Sequence, residues 1–256
     1  MINALISEFI GTSILILLGD GVVANVMLRG TKGQNSGLIV PTVGWAMAVF
    51  VGVICSASYS GAHLNPAVSV ALAVSGKLAW AKVLPYCAAQ MLGGMFGAFL
   101  VWLIYRKHFE STNCADTKLA VFCTGSAIRN KLSNLTSEIV ATFVLVYSVL
   151  NMAAPSVGLG AINALPVALV VLGIGVSLGG TTGYAMNPAR DLSPRIVHAL
   201  LPISGKRNSD WGYAWVPVIG SLAGGILASA VSMYHRIEEI RLLAKQAISQ
   251  IAILSL

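Results

Sequence analysis

Apolar residues run through this chain in long blocks separated by short polar segments. A membrane-crossing helix needs about 20 mostly apolar residues. Six stretches come close to or exceed that length: residues 4–23, 39–58, 83–105, 135–153, 162–178 and 213–234. Two further apolar pieces, 66–75 and 188–200, are too short to cross. The first block has no basic segment before it and is longer than a signal-peptide core, so it reads as a retained span.

The blocks repeat. "SEFIGTSILIL" around Glu8 matches "SEIVATFVLVY" around Glu138, 130 residues later. "QMLGGMFGA" from Gln90 resembles "SLAGGILAS" from Ser221. The tripeptides Asn65-Pro66-Ala67 and Asn187-Pro188-Ala189 lie 122 residues apart. Residues 1–105 thus form a first repeat and 135–234 a second, within a single domain of residues 1–234. Residues 106–134 connect them as a polar loop with room for a short helical piece. Each repeat has three spans, an odd number, so the second enters the membrane from the opposite face. Inverted repeats of this kind place their sites near the midplane, at the repeat interface. The tail, 235–256, carries Ile237, Ile240, Leu243, Ala244, Ala247, Ile248 and Ile251 at helical spacing. It fits an amphipathic helix on the membrane surface, or a last helix packed on the bundle.

Composition agrees. The chain is 56% hydrophobic and 10% charged, against about 25% charged in soluble domains, and its mean hydropathy is +0.80. The net charge of +7 is scattered through loops rather than clustered. No basic patch interleaved with aromatics points to nucleic acid. No Cys/His spacing suggests a metal, and no nucleophile–base pair or phosphate-binding loop suggests an enzyme or a cofactor. Cys55 and Cys87 fall in apolar blocks and read as small hydrophobes. Cys114 and Cys123 share the connecting loop, where spacing alone leaves a disulfide open. Orientation is contradictory. Of 16 Lys and Arg, five lie on the side of the termini (Lys77, Lys82, Arg236, Arg241 and Lys245) and eleven on the other. By charge alone the termini would face outward.

Why should Asn-Pro-Ala open each short piece? Pro is favoured at the first helical position, where its missing amide has no partner to lose. Asn is a good N-cap, its side-chain oxygen accepting from a free first-turn amide. Both tripeptides therefore read as helix starts. In an inverted repeat the two short helices enter from opposite faces and meet at their N-termini. Each N-terminus carries about half a positive charge, so the meeting point repels cations, protons among them. The side-chain amides of Asn65 and Asn187 can both donate to one passing oxygen. The stretches before them, Gly61, Ala62, His63 and Gly183, Tyr184, Ala185, are expected to supply a row of carbonyls to a sliding hydroxyl. Such irregular backbone survives at membrane depth only when buried in protein or lining water.

With "GAHLNPAVS" and "GYAMNPARD" in place, the chain resembles the major intrinsic proteins, the aquaporin family, over nearly its whole length. The resemblance implies an all-α membrane protein of six transmembrane helices and two re-entrant half-helices, with one pore per subunit in a homotetramer. It also implies cytoplasmic termini in a plasma or bacterial inner membrane. Arg190 matches the family's filter arginine, and Glu8 and Glu138 its buried glutamates, which brace the loops before the half-helices. Pore width, lining groups and an arginine barrier are the established basis of aquaporin-type selectivity.

The branch is read from a few positions. Where water-selective members carry a His, this chain has Gly175. Trp45 and Tyr184 match the aromatic pair of glycerol facilitators, although many of those have Phe where Tyr184 stands. Asp191 follows Arg190, and Arg195 comes four residues later, at helical ion-pair spacing. Pro217 matches a proline of glycerol channels. The resemblance therefore implies a passive channel for glycerol and other small uncharged polyols, with water also passing. A water-selective channel and an ion-coupled secondary transporter are the competing expectations.

Overall fold

The computed structural model describes residues 1–152, 158 and 160–254, with side chains described through residue 246. The expected end of the fourth span at Ala153 and the side chains of Ala247, Ile248 and Ile251 lie outside the described residues. The described chain is helical: α1 (Ile2–Met27), α2 (Ile39–Ser60), α3 (Pro66–Val74), α4 (Trp80–Ser111), α5 (Ala115–Ala120), α6 (Lys131–Asn151), a 3₁₀ turn (Gly160–Ala164) leading into α7 (Leu165–Leu178), α8 (Pro188–Leu200) and α9 (Trp211–Leu254).

Six of these elements are long and apolar enough to cross a membrane: α1, α2, α4, α6, the turn with α7, and α9. They coincide with the six expected spans. The half-helices α3 and α8 have 9 and 13 residues. At 1.5 Å per residue they reach only about 14 and 20 Å, short of the roughly 30 Å hydrocarbon core.

The ends differ from expectation where charge continues a helix. α4 runs on to Ser111: "RKHFES" contains neither Gly nor Pro, and Arg106 and Lys107 both pair with Glu110 on its surface. α9 does not break at residue 234. "YHRIEEIRLLAK" contains neither Gly nor Pro, and Arg241 pairs with Glu238 on its surface. The tail is a continuation of the last span, with Ile237, Ile240, Leu242 and Leu243 exposed along it. Cys114 and Cys123 are both free, the first exposed and the second buried, so no disulfide closes the connecting loop.

Close packing at glycine joins the helices in pairs. A Cβ on Gly93 of α4 would lie 2.3 Å from the Phe9 carbonyl oxygen of α1. A Cβ on Gly224 of α9 would lie 2.3 Å from the Ile139 carbonyl oxygen of α6. Small residues let backbones approach this closely where lipid gives no hydrophobic drive between helices. The two contacts occupy matched places in the two halves of the chain.

Candidate functional site

Both half-helices begin as their tripeptides suggest. The Asn65 side-chain oxygen accepts from the Ala67 amide at 2.8 Å. The Asn187 oxygen accepts from Ala189 at 2.9 Å and Arg190 at 3.3 Å. Their side-chain amides reach across the molecule. Asn65 Nδ2 donates to the Met186 carbonyl at 2.8 Å, and Asn187 Nδ2 donates to the Leu64 carbonyl at 2.8 Å. The helix starts are thereby stapled together. Each amide has two N–H groups, and among the described residues each uses one in this way.

The segments leading into the tips follow one conformational plan. Gly61 and Gly183 both have φ of 84°. Ala62 and Tyr184 (51° and 39°), then Leu64 and Met186 (51° and 52°), are also left-handed. Side chains disfavour that region, so something must hold it. Glu8 does so in one half, accepting from the His63 and Leu64 amides at 2.9 and 2.7 Å. Glu138 does so in the other, accepting from Ala185 and Met186 at 3.1 Å each and from the Thr182 hydroxyl at 2.6 Å. Gln90 completes the first brace, donating to Glu8 at 2.7 Å. Both glutamates are fully buried.

These segments line a cavity of about 210 Å³. Gly61, Ala62, His63, Leu64 and Asn65 face it from one half, and Tyr184, Ala185, Met186, Asn187 and Arg190 from the other. Trp45 joins them, and an apolar wall follows, including Leu15, Val49, Val53, Val68, Leu145 and Val171. Two expected positions stand just outside the lining. Gly183 sits beside Thr124, whose Cγ2 a Cβ would approach to 3.3 Å. Gly175 is covered: a Cβ there would lie 2.6 Å from Thr42 Cγ2 and 2.9 Å from Tyr184 Cζ. The space left by Gly175 is taken by the Tyr184 ring, which forms the wall in its place.

Trp45 is 5% exposed, which excludes an interfacial anchor. The Arg190 guanidinium carbon lies 3.8 Å from the Trp45 ring centroid, in cation–π range. Asp191 faces away from this pair, into a buried network. It accepts from the Thr124 amide and hydroxyl at 2.8 and 2.6 Å, and Arg195 Nε donates to it at 2.9 Å. Arg195 also donates to the Ser209 and Thr124 carbonyls. This network ties the connecting loop and the loop after α8 to the half-helix that carries Arg190.

Sequence reasoning passed over Asp20. It is fully buried in α1, and its Oδ1 lies 3.5 Å from Arg190 NH1. The signal was present: a carboxylate inside the apolar block "LLGDGVV" is costly at membrane depth and calls for a partner. Gln90 and Thr182 were also missed as members of the glutamate braces. Neither stands out locally, because each acts on a residue far away in the chain.

Residues 1–232 match the family Major intrinsic protein. A probable glycerol uptake facilitator protein from Thermotoga maritima is 53% identical over 226 residues, covering 88% of this chain and 96% of that one. A glycerol uptake facilitator protein from Streptococcus pneumoniae is 52% identical, covering 90% and 98%. The X-ray structure of an aquaglyceroporin from Plasmodium falciparum superposes with a TM-score of 0.83 at 28% identity, covering 94% of this chain and 99% of that one. With six spans, two half-helices meeting at capped tips and a family match over residues 1–232, the chain belongs to the major intrinsic protein family.

Proposed function

We propose that this protein is a passive, bidirectional channel for glycerol and other small uncharged polyols, with water also passing and ions and protons excluded. The observation that carries this reading is the pairing of surfaces around Arg190. The Trp45 and Tyr184 rings line the cavity with an apolar wall beyond them, while Arg190 and the segments before Asn65 and Asn187 line it too. Carbons suit the rings, and hydroxyls suit the guanidinium and the carbonyls. Relatives named as glycerol uptake facilitators, at about half identity over nearly the full chain, support the same solute.

In this reading Trp45, Tyr184 and Arg190 form the filter, with Gly175 making room for the tyrosine ring. The spare N–H of Asn65 and of Asn187 orients a passing oxygen, and the carbonyls before them accept from its protons. A water held there turns its own donors away from both tips, which interrupts a proton wire. The two half-helix N-termini add a positive field against cations. The two-repeat division at 106–134 also belongs to this reading.

A homotetramer in the cell membrane with cytoplasmic termini completes it. Exposed apolar side chains such as Ile6, Ile10, Val43 and Met47 offer faces to lipid or to further copies. The excess of Lys and Arg on the far side is drawn partly from residues with internal work. Arg195 and Lys118 are buried, Lys206 donates to carbonyls at the end of α8, and Arg190 faces the cavity.

An ion-coupled transporter should have ionisable groups along its path. Among the described residues, the cavity lining holds Arg190 and His63 and no carboxylate. The test is tracer glycerol in proteoliposomes under an imposed sodium or proton gradient. Equilibration without accumulation is expected. Accumulation above the outside concentration would favour a transporter.

A further inference from the structure

Among the described residues, Asp20 is a fully buried carboxylate that takes part in neither glutamate brace nor the Asp191 network. Among the described residues neither of its oxygens has a hydrogen-bond partner. Its ion-pair contact is Arg190 NH1 at 3.5 Å, too long for a well-formed hydrogen bond. A carboxyl group buried without hydrogen bonds is costly, and Arg190 is the cation that stands beside this one. The neighbouring residue explains how the pair is aligned. Gly19 has no side chain, and a Cβ there would lie 2.2 Å from the Trp45 ring. Trp45 therefore packs flat against α1 beside Asp20, and the Arg190 guanidinium lies 3.8 Å from that ring's centroid. The arginine thus meets both a ring and a carboxyl group.

This arrangement leaves the arginine available. Among the described residues no hydrogen bond uses a side-chain N–H of Arg190, whereas Arg195 spends its donors on Asp191 and on carbonyls. Asp20 stands beside the guanidinium without taking a hydrogen bond from it.

We propose that Asp20 is a specificity-determining positioning residue, which holds Arg190 against Trp45 and balances its charge, so setting how readily glycerol passes relative to water. Without it the guanidinium is free to move further into the cavity that it already lines, with its charge unbalanced. A wide solute is then hindered more than a narrow one. This inference rests on reading the cavity as a glycerol path.

The test measures glycerol and water permeability separately, by stopped-flow light scattering, in proteoliposomes of matched protein content. Asp20→Asn is expected to lower the glycerol-to-water ratio about fivefold or more, a coupling of ordinary size for contacting residues. Asp20→Glu, which keeps the charge, is expected to stay nearer the wild type. In an Arg190→Ala background, Asp20→Asn should leave the ratio unchanged, since the effect passes through the arginine. Equal loss of both permeabilities, or a ratio change that persists without Arg190, would overturn the inference. Should Asp20→Asn fail to fold, Asp20→Ser carries the same expectation; failure of both would leave Asp20 a folding residue and overturn the specificity role. A wild type that passes water but not glycerol would remove the glycerol reading instead, which keeps the two failures distinct.

Discussion

Asn65 and Asn187 are each bonded to the carbonyl that precedes the other: Asn65 to Met186 and Asn187 to Leu64, both at 2.8 Å. The two asparagines thus cap their own helices and fasten the opposite one. Loss of either affects both halves of the chain. Asn65→Ala removes a cap and a crossing bond, and is expected to cost about 1–2 kcal/mol. Asn187→Ala should cost a similar amount. Thermal unfolding in detergent checks this, with both variants also losing glycerol flux. A variant of full stability and full flux would contradict the stapled arrangement.

The glutamate braces make a second prediction. Glu138 presents oxygens to two backbone amides and one hydroxyl. In Glu138→Gln one oxygen becomes an NH₂ group facing donors. Leaving such a donor unmatched costs about 1–3 kcal/mol. Glu8→Gln should behave alike, since Glu8 accepts from His63, Leu64 and Gln90. Melting temperatures of both variants close to wild type would show that the left-handed segments hold themselves.

Gly175 offers a test of the filter wall. Any side chain there meets Thr42 and Tyr184, and the tyrosine ring is the part able to move. Gly175→Ala should push it toward the cavity, and Gly175→His should push it further. Glycerol permeability is expected to fall about tenfold in the larger variant, a change of about 1.4 kcal/mol in barrier, with water falling less. Equal loss of both would argue against Tyr184 as the wall.

Helix packing supplies a fourth. Gly93→Val and Gly224→Val would each drive a side chain into a carbonyl oxygen of the partner helix. Overpacking of this kind costs about 1–3 kcal/mol and sometimes more. The yield of folded protein on size-exclusion chromatography should fall for both. Normal yield for either would mean that the helix pair has more freedom than the contact implies.

Much of this was legible because membrane chemistry writes simple patterns. A block of apolar residues long enough to cross is visible directly, and six such blocks became six helices. Asn followed by Pro marks a helix start, and both starts formed. What the sequence concealed lay between residues distant in the chain. That Gly175 is filled by Tyr184 depends on how α7 meets the segment before α8. That Asp20 reaches Arg190 depends on α1 lying against α8, which no local pattern shows. The continuation of α9 past residue 234 was hidden for another reason: charged residues look like a boundary, yet they form helix as readily as apolar ones.

The most direct measurement is glycerol entry itself. Proteoliposomes and empty vesicles are mixed with hyperosmotic glycerol or sorbitol, and their volume is followed by light scattering. Rapid shrinkage is expected in both solutes, then fast reswelling in glycerol only, and only with the protein present. Reswelling in glycerol no faster than in empty vesicles would contradict it.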